Sequence, residues 1–265
     1  MSMNQPWEGY LPPVRIFGNL YFVGTVPAST HIIDTGDGLI MLDSGYQHSL
    51  YIVLHNMYLL GLDPRNLKYI VHTHGHIDHM GATQSLIQLF GCKTFLGKPD
   101  KDYVNGVLPL SWAKEFNMEL IPFEADVLLE DGDKIKLGNT EITAVATPGH
   151  TPGAMSYFFD VTDGIETYRA ALHGGMGFNT MYTAYISENS LPFSLRDDFI
   201  ESQTKLSEIK CDIYLGNHAS QNKTPEKIRR ILEGDTRAFI NPEEWRADML
   251  RARDSLIWMI KENKL

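Results

Sequence analysis

The sequence is poor in cysteine and has no excess of basic residues, and both shortages exclude classes of protein. Its 265 residues include two cysteines, Cys92 and Cys211, which lie far apart and outside any Cys-x-x-Cys pattern. A disulfide framework is therefore excluded, and a thiolate zinc site is disfavoured. The 23 basic residues are outnumbered by 33 acidic ones and are scattered along the chain. Because phosphate binding needs a basic face, we expect no nucleic acid as a partner.

Long apolar runs and a targeting segment are also missing. No stretch comes near the roughly 18 consecutive apolar residues that a membrane-spanning helix requires. The first residues, MSMNQPWE, have no basic start followed by an apolar core, so they do not resemble a secretory signal. We therefore expect a cytoplasmic protein with no membrane partner that acts on a small-molecule substrate. The oligomeric state is left open.

The composition is that of an ordinary globular protein, with 43% hydrophobic and 21% charged residues. A chain of this length can bury most of its apolar surface without a structural metal, so a bound metal is expected to serve function. We predict a single domain over residues 1–265. Residues 1–13 are predicted to form an N-terminal arm, and residues 241–263 a C-terminal helix.

Short apolar runs alternate with helical stretches in the first hundred residues. Strands predicted between residues 14 and 43 form a meander, and a helix, a strand at residues 67–72, a second helix and another strand follow. This order predicts α/β layering. A second meander is predicted from four further runs, which are Val127–Leu129, Lys134–Leu137, Glu141–Val145 and Met155–Phe159. Two β-rich halves are expected to face each other.

The densest group of possible metal ligands follows the strand at residues 67–72. Four histidines and one aspartate fall between His72 and His79. Imidazole is the commonest metal-binding side chain, and carboxylate oxygen joins it at zinc sites. A polar surface loop is the alternative interpretation, but a loop has no reason to collect one uncommon residue type. The pattern therefore indicates a metal site.

Two single histidines complete two possible ligand sets. His150 lies between two Pro-Gly corners in the segment TPGHTPG, and His218 follows a predicted strand. One metal is assigned His74, His76 and His150. The second is assigned Asp78, His79 and His218. Nitrogen-rich ligation of this kind favours zinc, and three protein ligands leave an open catalytic position on each of the two ions. A water held between them would become a nucleophile near neutral pH.

The segment THGHIDH at residues 73–79 resembles the signature of the metallo-β-lactamase superfamily of zinc hydrolases. The likeness extends to LDSG at residues 42–45, to TPGHTPG at residues 147–153 and to His218. The resemblance implies a four-layered αββα sandwich of two mixed sheets with its site along one edge. It also implies that Asp43 supports the metal ligands from behind.

The residues after the strand at 168–172 distinguish between branches of this superfamily. Many members have an aspartate there that bridges the two metals, but no Asp or Glu lies between Glu166 and Glu188. What remains resembles the di-zinc β-lactamase subclass with His/His/His and Asp/His/His sites, subclass B3. The serines that help those enzymes hold the substrate carboxylate are also missing, since the next serine is Ser187.

We therefore expect hydroxide attack, oriented by Asp78, on an amide or β-lactam-type carbonyl. Hydrolysis of a lactone or thioester is the alternative, as are phosphodiesterase activity and ligand binding without turnover. Four other residues complete the candidate site. His173 contacts the substrate, serves as a substitute metal ligand or merely fills space beside glycines. Asn179, Tyr182 and Tyr185 are candidate donors to the substrate or to a developing oxyanion.

Overall fold

A computed structural model describes residues 5–265 and contains two sheets. The first sheet has seven strands in sequential order, antiparallel from β1 to β4 and parallel from β4 to β7. Its strands are β1 (Val14–Phe17), β2 (Leu20–Phe22), β3 (His31–Asp34), β4 (Leu39–Leu42), β5 (Leu67–Val71), β6 (Lys93–Gly97) and β7 (Val127–Leu129).

The second sheet has five strands in the order β12-β11-β10-β9-β8. Its strands are β8 (Lys134–Leu137), β9 (Thr140–Ala146), β10 (Met155–Thr162), β11 (Thr167–Leu172) and β12 (Ile213–Leu215). All neighbours are antiparallel except β11 and β12, which run parallel. The carboxyl ends of β11 and β12 therefore meet at one edge of this sheet.

Helices cover the outer face of each sheet. The α-helices of the described residues are α1 (Leu50–Leu59), α2 (Ile77–Met80), α3 (Thr83–Phe90), α4 (Lys101–Val104), α5 (Thr183–Glu188), α6 (Leu195–Ser207), α7 (Thr224–Leu232) and α8 (Pro242–Lys261). Val53 of α1 and Leu86 of α3 share a core with the first sheet, and Leu206 of α6 and Trp245 of α8 share one with the second. Among the helices of residues 5–265, none combines the length and the apolar character needed to span a bilayer.

The burial pattern of β10 shows that the second sheet is covered on both faces. In β10 the first five residues are all buried, because both faces of the strand are covered. Tyr157 and Phe159 point into the core between the two sheets, whereas Phe158 points into the core beneath α6 and α8. The four-layered αββα fold is therefore confirmed.

One strand lies in a different sheet from the one predicted. Residues 127–129 were assigned to the second meander, but β7 pairs in parallel with β6 in the first sheet. That assignment was wrong because residues 98–126 form a crossover long enough to return the chain to the same sheet in parallel. The carboxylate of Asp126 fixes this pairing, since it accepts hydrogen bonds from the backbone N–H of Thr94 at 2.8 Å and from its Oγ1 at 2.9 Å.

The C-terminal helix α8 presents its apolar face to the second sheet. Trp245, Met249, Ala252 and Leu256 are buried along it at helical spacing. The indole Nε1 of Trp245 donates a hydrogen bond to the carbonyl of Leu206 at 2.8 Å. The N-cap of α8 is Asn241, whose side chain accepts a hydrogen bond from the backbone N–H of Glu243. Of the predicted N-terminal arm, residues 1–4 lie outside the described residues.

Replacing Trp245 should destabilise the protein far more than replacing Trp258 of the same helix. Trp245 is 1% exposed and Trp258 is 51% exposed. We expect W245A to lower the free energy of unfolding by about 3–5 kcal/mol, because it leaves a cavity and removes the hydrogen bond to Leu206. The control W258A should cost less than about 1 kcal/mol. Urea titration measures both, and equal losses would contradict this packing.

Candidate metal centre

The candidate ligands meet at the edge where several strands of both sheets end. His74 and His76 lie in the loop that follows β5, and Asp78 and His79 lie in the short helix α2 that continues it. The backbone N–H of His79 bonds to the carbonyl of His76, so the chain turns directly from loop to helix. His74 and His76 therefore sit in the loop, while Asp78 and His79 are presented from the following turn of helix.

The first group is the one expected from the sequence. His74, His76 and His150 each offer a ligand atom, and these atoms lie within 4.8 Å of one another. His150 comes from the loop between β9 and β10. All three side chains are buried. A single ion could therefore contact all three of them.

The second group is gathered around Asp78. Atoms of His74, Asp78 and His79 lie within 4.8 Å of one another. His218, which follows β12, joins this group because its Nε2 is 3.5 Å from Oδ2 of Asp78. The Nε2 of His79 lies 3.2 Å from the same oxygen. The structure thus brings together the residues that the sequence assigned to a second metal, with His74 lying between the two groups.

Hydrogen bonds to Nδ1 determine which nitrogen of two histidines is available. The Nδ1 of His150 lies 2.9 Å from the carbonyl oxygen of Gly177, and that of His218 lies 2.5 Å from the carbonyl oxygen of Pro27. A carbonyl oxygen only accepts, so Nδ1 carries the proton in each ring. The lone pair of each histidine is therefore on Nε2.

Asp43 fixes two further imidazoles in the same way. Its Oδ2 lies 2.8 Å from Nδ1 of His79 and accepts a hydrogen bond from Oγ1 of Thr73, also at 2.8 Å. Because that hydroxyl donates to Asp43, its oxygen accepts from Nδ1 of His74 at 3.0 Å. Asp43 is 1% exposed. It therefore orients His79 directly and His74 through Thr73, so that Nε2 of each ring is the nitrogen left to face a metal.

Two of these Nε2 atoms have no partner among the described residues. The Nε2 atoms of His74 and His76 are buried and make no hydrogen bond there, whereas Nε2 of His79 has the Asp78 carboxylate beside it. Buried polar atoms are normally paired, so two unpaired nitrogens in one place need an explanation. A metal ion supplies it, since neutral imidazole nitrogen and carboxylate are the donors that zinc prefers. The side chains present fit such an ion.

Burial and neighbouring charges shift the pKa of each ligand. Burial lowers the pKa of His74 and His76 well below the usual range and that of His150 to about 4. Burial alone would raise the pKa of Asp78, but His79 lowers it well below the usual range. Burial opposes protonation of His79 as well, yet the carboxylates of Asp78 and Asp43 raise its pKa to about 10. At neutral pH the first group is thus uncharged and ready to bind a cation.

His173 is not brought to the metal ligands. Its Nε2–H donates to Oε1 of Gln203 at 3.0 Å, and its Nδ1 accepts from the backbone N–H of Gly175 at 2.7 Å. The side chain is fully buried, and burial lowers its pKa to about 4. With both nitrogens engaged, His173 holds the glycine loop in place rather than facing substrate.

The glycine loop after β11 explains why no bridging carboxylate stands there. A Cβ on Gly174 would lie 2.7 Å from Oγ1 of Thr147, and one on Gly175 would lie 2.5 Å from Cδ2 of His150. Gly175 also has a φ of +155°, which other residues rarely adopt. An aspartate at Gly175 would therefore displace His150, and one at Gly174 would displace Thr147.

The three remaining candidates occupy different places. Asn179 lines the cavity beside the metal ligands. The hydroxyl of Tyr185 accepts a hydrogen bond from the indole Nε1 of Trp112 at 2.9 Å, so Tyr185 supports a cavity wall. Tyr182 is 44% exposed and is not among the described cavity-lining residues.

Asp100 is a residue of the site that the sequence analysis missed. Its Oδ2 accepts from the backbone N–H of Gly75 at 2.9 Å and from Oγ1 of Thr151 at 2.6 Å, and its Oδ1 accepts from the N–H of Gly153 at 2.7 Å. Asp100 therefore ties the loop carrying His74 and His76 to the loop carrying His150. Burial raises its pKa to about 6, so it is still ionised at neutral pH. Its position just after β6, at the same sheet edge as the candidate ligands, is the sequence feature that could have indicated a role at the site.

A cavity of about 270 Å³ opens onto the ligands. Its walls combine four of the candidate ligands with apolar and amide side chains and with glycine backbone. The lining residues are His76, Asp78, Trp112, Phe116, His150, Gly175, Met176, Gly177, Asn179, Asn217, His218 and Gln221. Among the lining residues that are not candidate ligands, only Asn179 was expected from the sequence. The others lie in loops without periodic patterns.

Comparisons with known proteins agree with this geometry. The family model of the metallo-beta-lactamase superfamily matches residues 23–164. BJP-1, a subclass B3 metallo-beta-lactamase of Bradyrhizobium japonicum, superposes with a TM-score of 0.89 at 25% identity, covering 98% of each chain. The native FEZ-1 metallo-beta-lactamase from Legionella gormanii gives 0.89 at 26% identity, covering 97% of this chain and 98% of its own.

Curated relatives are matched over shorter segments. The probable metallo-hydrolase YqgX of Bacillus subtilis is 25% identical over 158 residues, which is 58% of this chain and 71% of that protein. An uncharacterized protein of Aquifex aeolicus is 39% identical over 84 residues, 32% of this chain. The match covers 39% of the Aquifex protein, so less than half of that relative is represented.

An αββα sandwich that gathers histidines and an aspartate at one edge is the architecture of metal-dependent hydrolases. The chain belongs to the metallo-beta-lactamase superfamily. Its structural neighbours include subclass B3 enzymes, which agrees with the resemblance of the ligand motifs.

Replacing Asp100 should weaken the metal centre without touching a ligand. In D100N an NH2 group would face an N–H of Gly75 or Gly153, so we expect unfolding to become easier by about 1–3 kcal/mol. Zinc affinity should fall about 10- to 100-fold, because the two ligand loops are no longer held together. Urea titration and competition with a chromogenic chelator measure the two effects.

The control for this variant is D102N in the next turn of chain, whose side chain bonds to Asn105 only. It should retain parent-like stability and zinc affinity. If D100N also kept parent-like zinc affinity, the positioning role of Asp100 would be wrong.

Proposed function

We propose that the protein is a hydrolase that holds two zinc ions and cleaves the acyl bond of an amide, β-lactam, ester or thioester. The observation that carries the proposal is the pair of buried Nε2 atoms of His74 and His76, which have no partner among the described residues, beside the Asp78–His79 pair. Two bound zinc ions would supply Lewis acidity and lower the pKa of a water at the site. A cavity of about 270 Å³ suits a small molecule.

We propose two ligand sets. His74, His76 and His150 hold the first ion, and Asp78, His79 and His218 hold the second. The hydrogen bonds to Gly177, Pro27 and Asp43 keep the Nδ1 atoms protonated, so that each Nε2 is the nitrogen that would bind a metal. The rings then need no rearrangement when a metal arrives, and little binding energy is lost to ordering.

The role of Asp78 follows from its charge. Its pKa is held well below the usual range by His79, so it remains a carboxylate at neutral pH. It also lines the cavity. A permanent carboxylate there accepts a hydrogen bond from the attacking water and aims one of its lone pairs at the carbonyl carbon. Asp78 is thus an acceptor that orients water and not an acid that protonates the leaving group.

The two-metal part is tested by removing one ligand of the second set at a time. We expect H79A and H218A to bind about one zinc per chain instead of two. Hydrolysis should fall at least ~100-fold in kcat/KM, since even supporting residues of metal ligands are worth 10- to 100-fold. Metal analysis after dialysis gives the stoichiometry. A zinc-loaded panel of a cephalosporin, a homoserine lactone and a thioester, with and without chelator, gives the activity.

The control is H55A, which changes an exposed histidine of α1 away from the ligands. It should keep both ions and full activity. Full activity in H79A or H218A with one zinc per chain would refute the two-metal mechanism. Turnover of the panel that persists after chelation would refute the metal-dependent hydrolase itself.

A further inference from the structure

The cavity beside the candidate ligands has a preformed apolar wall. Trp112, Phe116 and Met176 line it. Trp112 has a φ of +63°, a strained backbone conformation for a tryptophan. Its ring is nevertheless fixed, because Nε1 donates to the hydroxyl of Tyr185 at 2.9 Å and the ring lies 5.9 Å from those of Phe116 and His76. Because backbone strain of this kind clusters at functional sites, it suggests that the position of Trp112 serves substrate binding.

The polar side chains of the cavity, apart from the candidate ligands, are amides. They belong to Asn179, Asn217 and Gln221. The Nδ2 of Asn217 donates to the carbonyl oxygen of His173 at 3.3 Å, so its Oδ1 is left as an acceptor. That oxygen is buried and has no partner among the described residues. An acceptor lone pair repels a substrate carboxylate and favours uncharged or hydrogen-donating groups.

Cationic side chains are missing from this lining. Among the described residues that line the cavity, none is lysine or arginine. Lys114, two residues after Trp112, lines a neighbouring groove instead. The guanidinium of Arg196 donates to the carbonyl of Met181 and to Oγ1 of Thr183, so it is engaged elsewhere. The net charge of the chain is -10, which adds a weak general repulsion of anions.

An anionic group carried remotely from the scissile bond would therefore lose its water without gaining a cationic partner among these lining residues. Burying an unpaired charge is costly, whereas covering Trp112 and Phe116 with an apolar group is favourable. We propose that the substrate is an ester, lactone or amide whose acyl part is uncharged and apolar. The Trp112 wall positions this acyl group in place of a cationic anchor. This inference rests on the proposed hydrolase function and narrows it to substrates whose acyl group is apolar.

A matched pair of esters tests the inference. 4-Nitrophenyl hexanoate and mono(4-nitrophenyl) adipate have the same leaving group and acyl length, and they differ by one terminal carboxylate. We expect the zinc-loaded protein to hydrolyse the hexanoate with a kcat/KM at least about tenfold higher, after correction for uncatalysed hydrolysis. An equal or higher value for the adipate would overturn the inference and leave the hydrolase function standing. Turnover of neither ester by protein that holds zinc would overturn the inference, and the hydrolase function would fall with it if the cephalosporin, lactone and thioester panel also stayed unreacted.

Variants separate the effect of charge from that of shape. Q221R supplies the missing cation, so it should raise kcat/KM for the adipate and reduce the preference about tenfold. Q221M has similar size without charge and should keep the preference. A preference unchanged in Q221R, or lost equally in Q221M, would contradict the electrostatic argument.

The apolar wall has a test of its own. W112A should raise KM for the hexanoate about tenfold or more but leave KM for 4-nitrophenyl acetate within about threefold, since acetate has no chain to cover the wall. K114A, which changes an exposed side chain outside the cavity, should leave both esters unaffected. Equal KM increases for hexanoate and acetate in W112A would overturn the positioning role of Trp112.

Discussion

The hydrogen bonds of Asp43 are the interaction on which the metal centre depends. This buried carboxylate, at the end of β4, accepts from the backbone N–H and the hydroxyl of Thr73 and from Nδ1 of His79. It thereby joins the end of β4 to the loop after β5 and to helix α2. Its φ of +55° is a conformation that costs about 1–2 kcal/mol for a residue with a side chain. The hydrogen bonds of the Asp43 carboxylate offset this cost. They orient the ring of His79 directly and that of His74 through Thr73.

The ligands and the layering could be predicted from sequence because their signals are local. His74, His76, Asp78 and His79 are adjacent in the chain, and the strands deliver them to one edge. The sheet that holds β7 and the clamp of Asp100 could not be predicted, because both depend on partners 25 to 53 residues away. The apolar cavity wall was missed for a related reason. Trp112 and Phe116 lie in a stretch without helical or strand periodicity.

The candidate metal ligands and the cavity walls come from different parts of the chain. The candidate ligands come from strand ends and a short helix, and buried carboxylates and backbone carbonyls orient the imidazole rings. The cavity walls come from loops, where Trp112 donates a hydrogen bond to Tyr185 and Asn217 donates one to the carbonyl of His173. A Cβ on Gly175 would clash with His150. The loops can therefore change the cavity walls without any change to the candidate ligands.

The most direct test of the central claim is a crystal structure of the zinc-loaded protein with anomalous diffraction recorded at the zinc edge. Two peaks are expected in the anomalous difference map. One should be bound by Nε2 of His74, His76 and His150, and the other by Asp78 with Nε2 of His79 and His218. A single peak, or ligation through Nδ1 of His79 with the Asp43 hydrogen bond broken, would contradict it.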